Sequence, residues 1–152
     1  MDCNSKENLI ALASRLNSLC DKLNEQFSIN WGGCCYTAYC IAALLEQDGF
    51  NYSLVIFDEE YELTNVNGLA DLPAVDHCAI VLENDEGIKL NINCTLSDYV
   101  CHYTRFKINS EDLLDYYIRT RWNSSYDKTN NLLVRSIIEE VYYEFTKSLR
   151  QG

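Results

Sequence analysis

The sequence predicts an α+β domain, and three patterns in it carry that prediction. Apolar residues recur near helical period at both ends of the chain and again in its middle. Between the middle and final helices lie short runs that read as strands. Two of these runs are joined by Asn84-Asp85-Glu86-Gly87, a hairpin signal in which Gly87 suits the left-handed last position of a three-residue loop. The expected architecture is helices first, a cysteine-bearing helix packed on an antiparallel sheet, and helices last.

Taken in order, Asn4 can cap a first helix with Glu7 as the third residue of the capping box. Leu9, Ile10, Leu12, Leu16, Leu19, Cys20 and Leu23 give it an apolar face, and it runs to about Phe27. A central helix follows Trp31-Gly32-Gly33 and ends near Gln47-Asp48-Gly49, with Gly49 as the C-cap glycine. Apolar residues surround it on most sides, so it should be buried. Tyr52 to Phe57 reads as a first strand, and Asp58 to Asp76 as a long polar connection containing Asn67-Gly68 and Pro73.

His77 to Glu83 and Ile88 to Cys94 are the hairpin strands. A loop of Asp85-Glu86-Gly87 sets Asn84 opposite Ile88. Cys78, Ile80 and Leu82 then share a face with Ile88, Leu90, Ile92 and Cys94, and a slip of one residue would destroy that match. The other face carries His77, Ala79, Val81, Lys89, Asn91 and Asn93. His77 falls opposite Thr95, Asn93 is its diagonal neighbour, and Asn91 is one step beyond reach. Tyr99 to Ile108 reads as a weaker fourth strand, in which His102 is an ordinary, partly exposed residue. Asn109 or Ser110 caps a short helix, Trp122 to Ser125 is a break, and Thr129 to Leu149 forms the last helix.

Composition bounds the function. At 152 residues the chain suits one domain, residues 1–152, with a genuine core. A net charge of −11 argues against a nucleic-acid surface and against anionic membranes, and no apolar run is long enough to cross a bilayer. The start, Met1 to Glu7, is polar and lacks a signal region, so the eight cysteines read as thiols in a reducing, cytoplasmic compartment. No C-x-x-C pair exists and the two histidines are far apart, so neither a metal nor another cofactor is expected.

Cys34 is the candidate for chemistry. It follows a double glycine at the start of a helix, where unpaired N–H groups and the helix dipole favour a thiolate. Cys35 and Cys40 read as packing, since free Cys behaves as a small hydrophobe. Nucleophilic thiol chemistry also needs a base and a group that orients the base. His77 and Asn93 supply those types side by side at one end of the hairpin. Main-chain N–H groups around Gly33, Cys34 and Cys35 would meet the oxyanion, with Gln26, Asn30 or Trp31 as alternative side-chain donors.

The segment Gly32-x-Cys34-x-x-x-Ala38, followed by Ala43-Leu44-Leu45 and Gly49, resembles the nucleophile segment of the transglutaminase-like branch of the papain-like cysteine enzymes. His77 opens a strand as that family's histidine does. Ile92-Asn93-Cys94-Thr95 falls where its acidic third member closes the next strand, with Asn in place of Asp. The resemblance spans Trp31 to Thr95 and implies a papain-like fold with a Cys34–His77–Asn93 triad. It implies hydrolysis or acyl transfer at an amide through a thioester, on a peptide or protein substrate. The alternative is a catalytically silent module of the same fold that binds a protein partner through its acidic surface and the Asp58–Asp76 loop.

Overall fold

The computed structural model describes residues 5–63, 66–94, 102–121 and 126–151. The elements are α1 (Lys6–Phe27), α2 (Cys34–Gln47), β1 (Asn51–Asp58), β2 (His77–Glu83), β3 (Lys89–Ile92), β4 (His102–Phe106), α3 (Ser110–Thr120) and α4 (Asn131–Gln151), with a short 3₁₀ turn (Lys128–Asn130) before α4. Among the described residues this is an α+β arrangement of four helices and one antiparallel sheet, in the order β3-β2-β1-β4.

Helix α1 is capped by Ser5, whose side chain accepts the Asn8 N–H. The cap therefore lies one residue beyond Asn4, which falls outside the described residues. Leu9, Leu12, Leu16, Leu19, Cys20 and Leu23 are its buried face. Helix α2 is buried almost all round, as its apolar composition requires. It touches β1, β2, α3 and α4, and Gly49 just after it takes a left-handed φ of 75°. The core is continuous from Leu9 through α2 and the sheet to Phe145.

The hairpin has the expected register: Ile80 faces Ile92, Val81 faces Asn91 and Leu82 faces Leu90. Gly87 has φ 86°, and Asn84 Oδ1 accepts the Ile88 N–H at 3.0 Å, closing the three-residue loop. Cys78, Ile80, Leu82 and Ile92 point into the core, with Leu90 packed against it. The other face is also buried, around Val55, Phe57 and Val81. Strand β3 is shorter than expected. It stops at Ile92 because Asn93 turns left-handed, with φ 68°. Thr95, Tyr99 to Cys101 and the break at Trp122 to Ser125 lie outside the described residues. Asn109, not Ser110, caps α3.

One carboxylate of α2, that of Glu46, ties the helix to β1 and α3. Glu46 Oε1 accepts from the Tyr52 hydroxyl and, at 2.6 Å, from the Ser110 N–H, while Oε2 accepts from the Ser110 hydroxyl at 2.7 Å. Charge-assisted bonds of this kind contribute about 1.5–3 kcal/mol each when they are buried, and less here where the site is partly exposed. Glu46→Ala should therefore lower unfolding stability by about 2 kcal/mol in urea titration. A loss within about 0.5 kcal/mol would show that the anchor is dispensable.

Candidate functional site

Three local features bring the site together. Cys34 is the first residue of α2, and His77 is the first residue of β2. Both sit at the same end of the sheet, where the thiol and the imidazole are hydrogen-bonding neighbours. His77 Nε2 lies 3.0 Å from the main-chain carbonyl oxygen of Asn93. A carbonyl only accepts, so Nε2 must carry the proton in this bond. In the neutral ring Nδ1 is then unprotonated, the acceptor a general base needs.

The third member is thus met by a different atom from the one expected. The strand pattern placed the Asn93 side chain beside His77. In the structure the left-handed backbone of Asn93 aims its carbonyl at the imidazole, while its side-chain Nδ2 donates to Asn30 Oδ1 at 2.9 Å. Its N–H donates to Asn17 Oδ1 at 2.7 Å, and Asn17 Nδ2 in turn donates to the Asn91 carbonyl at 2.9 Å. The Asn30 N–H donates to Asn24 Oδ1 at 2.8 Å. A chain of amides from α1 therefore grips the residue that grips the histidine. Asn17 and Asn24 were not singled out from sequence. The available signal was that Asn17 falls between apolar positions on α1, at the edge of its buried face.

The other expected residues divide. Gln26 and Trp31 are exposed, Trp31 at 75%, whereas Cys34 is completely buried. Asn30 is recruited to Asn93. Gly33 cannot offer its N–H to an oxyanion, because that group donates to the Ile29 carbonyl at 2.7 Å. Its role is steric. A Cβ at Gly33 would sit 2.5 Å from Cζ of Tyr126, whose ring covers the helix start. The N–H groups of Cys34 and Cys35 belong to the first turn, which has no intrahelical acceptors.

The electrostatics describe a closed resting state. Burial, followed by the hydrogen bond to Cys78, pushes the Cys34 thiol well above its ordinary value, and His77 opposes this only in part. For His77, burial acts downward, but its bonds to Cys34 and to the Asn93 carbonyl leave it raised. The Cys34 shift decides the resting state. A neutral thiol puts no charge beside the imidazole, so the lift a thiolate would give His77 is absent until the thiol ionises. Cys78 and Cys35 continue the thiol cluster, both buried and both raised, primarily by desolvation. Cys20, Cys34, Cys35, Cys40 and Cys78 are free thiols. Among the described residues no group of three or more His, Cys, Asp or Glu is disposed to hold a metal, and no helix is long and apolar enough to cross a membrane.

Comparison with protein-family models, with curated protein sequences and with solved structures returns no match.

The packing at the helix start predicts a coupling. Gly33→Ala should cost about 1–3 kcal/mol, because the added methyl overlaps the Tyr126 ring. In a Tyr126→Ala background the same substitution should cost much less. Urea unfolding of the four proteins measures this, and equal costs in both backgrounds would refute the contact.

Proposed function

We propose that this protein is a cysteine-dependent hydrolase or acyltransferase acting on an amide bond, built on a papain-like, transglutaminase-like core. The observation that supports this most is the juxtaposition of a helix-start thiol with an imidazole whose far nitrogen donates to a fixed carbonyl. In this reading His77 Nδ1 takes the Cys34 proton, and the thiolate attacks the amide carbon. The first-turn N–H groups of α2 stabilise the oxyanion. The tetrahedral species collapses as His77 returns the proton to the leaving amine, giving a Cys34 thioester. Water or a second amine, deprotonated by His77, then attacks the thioester and regenerates the thiol. The Asn93 carbonyl holds the base in the required tautomer throughout. The substrate is a peptide or protein amide, and a reducing, cytoplasmic setting would keep the thiol available.

A second reading, a silent module that binds a protein partner, draws its support from the complete burial of Cys34 and the raised thiol. Under the first reading, substrate entry uncovers the thiol; under the second, nothing does.

Acylation by p-nitrophenyl acetate separates the two. The wild-type protein should release p-nitrophenolate and carry the acetyl group on Cys34, located by peptide mass spectrometry. Cys34→Ala should not acylate, and His77→Ala should be slower by at least about a hundredfold. Asn93→Gly should keep most of the rate, because glycine holds a positive φ and retains the carbonyl; Asn93→Ala should lose more, because alanine is strained there. No acylation of Cys34 in the folded wild type would favour the silent module. An Asn93→Gly protein as slow as His77→Ala would show that the side-chain amide, not the carbonyl, orients the base.

A further inference from the structure

The space that could take a ligand is not at the thiol. The recess beside Cys34 and Cys78 has no room for a water molecule. A cleft of about 960 Å³ lies instead between the long β1–β2 connection, the end of β4 and α3. Its volume is at the upper end for small-ligand sites, typically about 300–1,000 Å³, and it is open enough to take an extended chain.

The cleft is held open by specific bonds. Arg119 Nη2 donates to the carbonyls of Leu69 and Leu72 at 2.7 and 2.8 Å, and its guanidinium lies 5.4 Å over the Tyr116 ring. The Tyr116 hydroxyl donates to the Pro73 carbonyl at 2.6 Å. These bonds fix the connection as a wall, so the cavity does not depend on a ligand to form.

The lining specifies the occupant. Leu69, Leu72 and Tyr116 are buried in the walls, and Phe106 and Ile108 are half-buried against the core. Asp71, Asp112 and Asp115 are exposed around them. The cleft's two cations are already engaged, Arg119 with the wall carbonyls and Lys107 with Glu83. Among the described residues no salt bridge engages the three aspartates. An apolar cleft edged by acids on a chain of net charge −11 attracts cations and accepts aliphatic side chains.

We propose that this cleft binds a basic peptide segment, an extended stretch in which Lys or Arg alternates with apolar residues. The apolar side chains enter the Leu69–Leu72–Tyr116 walls, and the basic ones meet Asp71, Asp112 and Asp115. The inference does not rest on the use of Cys34, so it stands or falls separately from the proposed activity.

Gly68 supplies a clean test. It lines the cleft, its backbone is not left-handed, and a Cβ there would meet nothing within 4 Å. Gly68→Phe should therefore fill the cleft without disturbing the fold. Fluorescence anisotropy would follow a labelled peptide of alternating Leu and Lys, with Leu–Glu and Leu–Gln peptides of equal length as controls. Saturable binding of the Leu–Lys peptide is expected, weaker at high salt. Gly68→Phe and, independently, the double variant Asp112→Asn/Asp115→Asn should each weaken it by about tenfold or more. Neither control peptide should match it. Absence of saturable binding would overturn the proposal. So would binding that both variants leave unchanged, which would mark attraction to the acidic surface in general, or equal binding of the Leu–Gln peptide, which would remove the cationic requirement.

Discussion

The hydrogen bond from His77 Nε2 to the Asn93 carbonyl exists only because β3 ends in a left-handed residue. In a continuing strand that carbonyl would have pointed along the ladder toward a neighbouring strand. Asparagine tolerates this conformation better than other non-glycine residues, and its three polar groups are all used here. The N–H is held by Asn17, the side chain by Asn30 and the carbonyl by the histidine. Helix α1 thus contributes to the orientation of the imidazole by fixing the turn that carries the orienting atom.

Burial sets the second constraint. A thiol at a helix start gains from the dipole and loses from desolvation, and in this state desolvation wins. The helix dipole contributes about 0.3–1 kcal/mol at an accessible terminus, which is small beside the cost of an ion in an apolar setting. Tyr126 over Gly33 and the thiols of Cys78 and Cys35 make that setting. In the proposed chemistry, a substrate that displaced the cover and brought its own carbonyl to the first-turn N–H groups would tilt the balance toward the thiolate.

Local patterns made much of the fold legible in the sequence. The helical period of Leu9 to Leu23, the apolar surround of α2 and the two-residue alternation of the hairpin each concern neighbours along the chain. Gly87 fixed the loop, the loop fixed the register, and the structure has that register. The placement of Cys34 and His77 at the first positions of their elements followed from the same signals. What stayed hidden was non-local or a matter of backbone sign. Alternation cannot reveal that Asn93 leaves the β region, so it assigned the side chain to a task the carbonyl meets. It could not pair Asn17 with a residue 76 positions away. The sequence shows Gly33 only as half of a double glycine before Cys34, but its smallness matters because Tyr126, far along the chain, packs against it.

The Asn93 carbonyl fixes the tautomer of His77. Long-range ¹H–¹⁵N correlation spectra of histidine-labelled protein, recorded across pH, report this directly, because the two ring nitrogens differ widely in shift according to which carries the proton. On the alkaline side of its titration, His77 should be the Nε2–H tautomer with Nδ1 unprotonated. Cys34→Ala should keep the same tautomer, because the carbonyl sets it and a neutral thiol adds no charge beside the ring. An Nδ1–H tautomer in either protein would contradict the account.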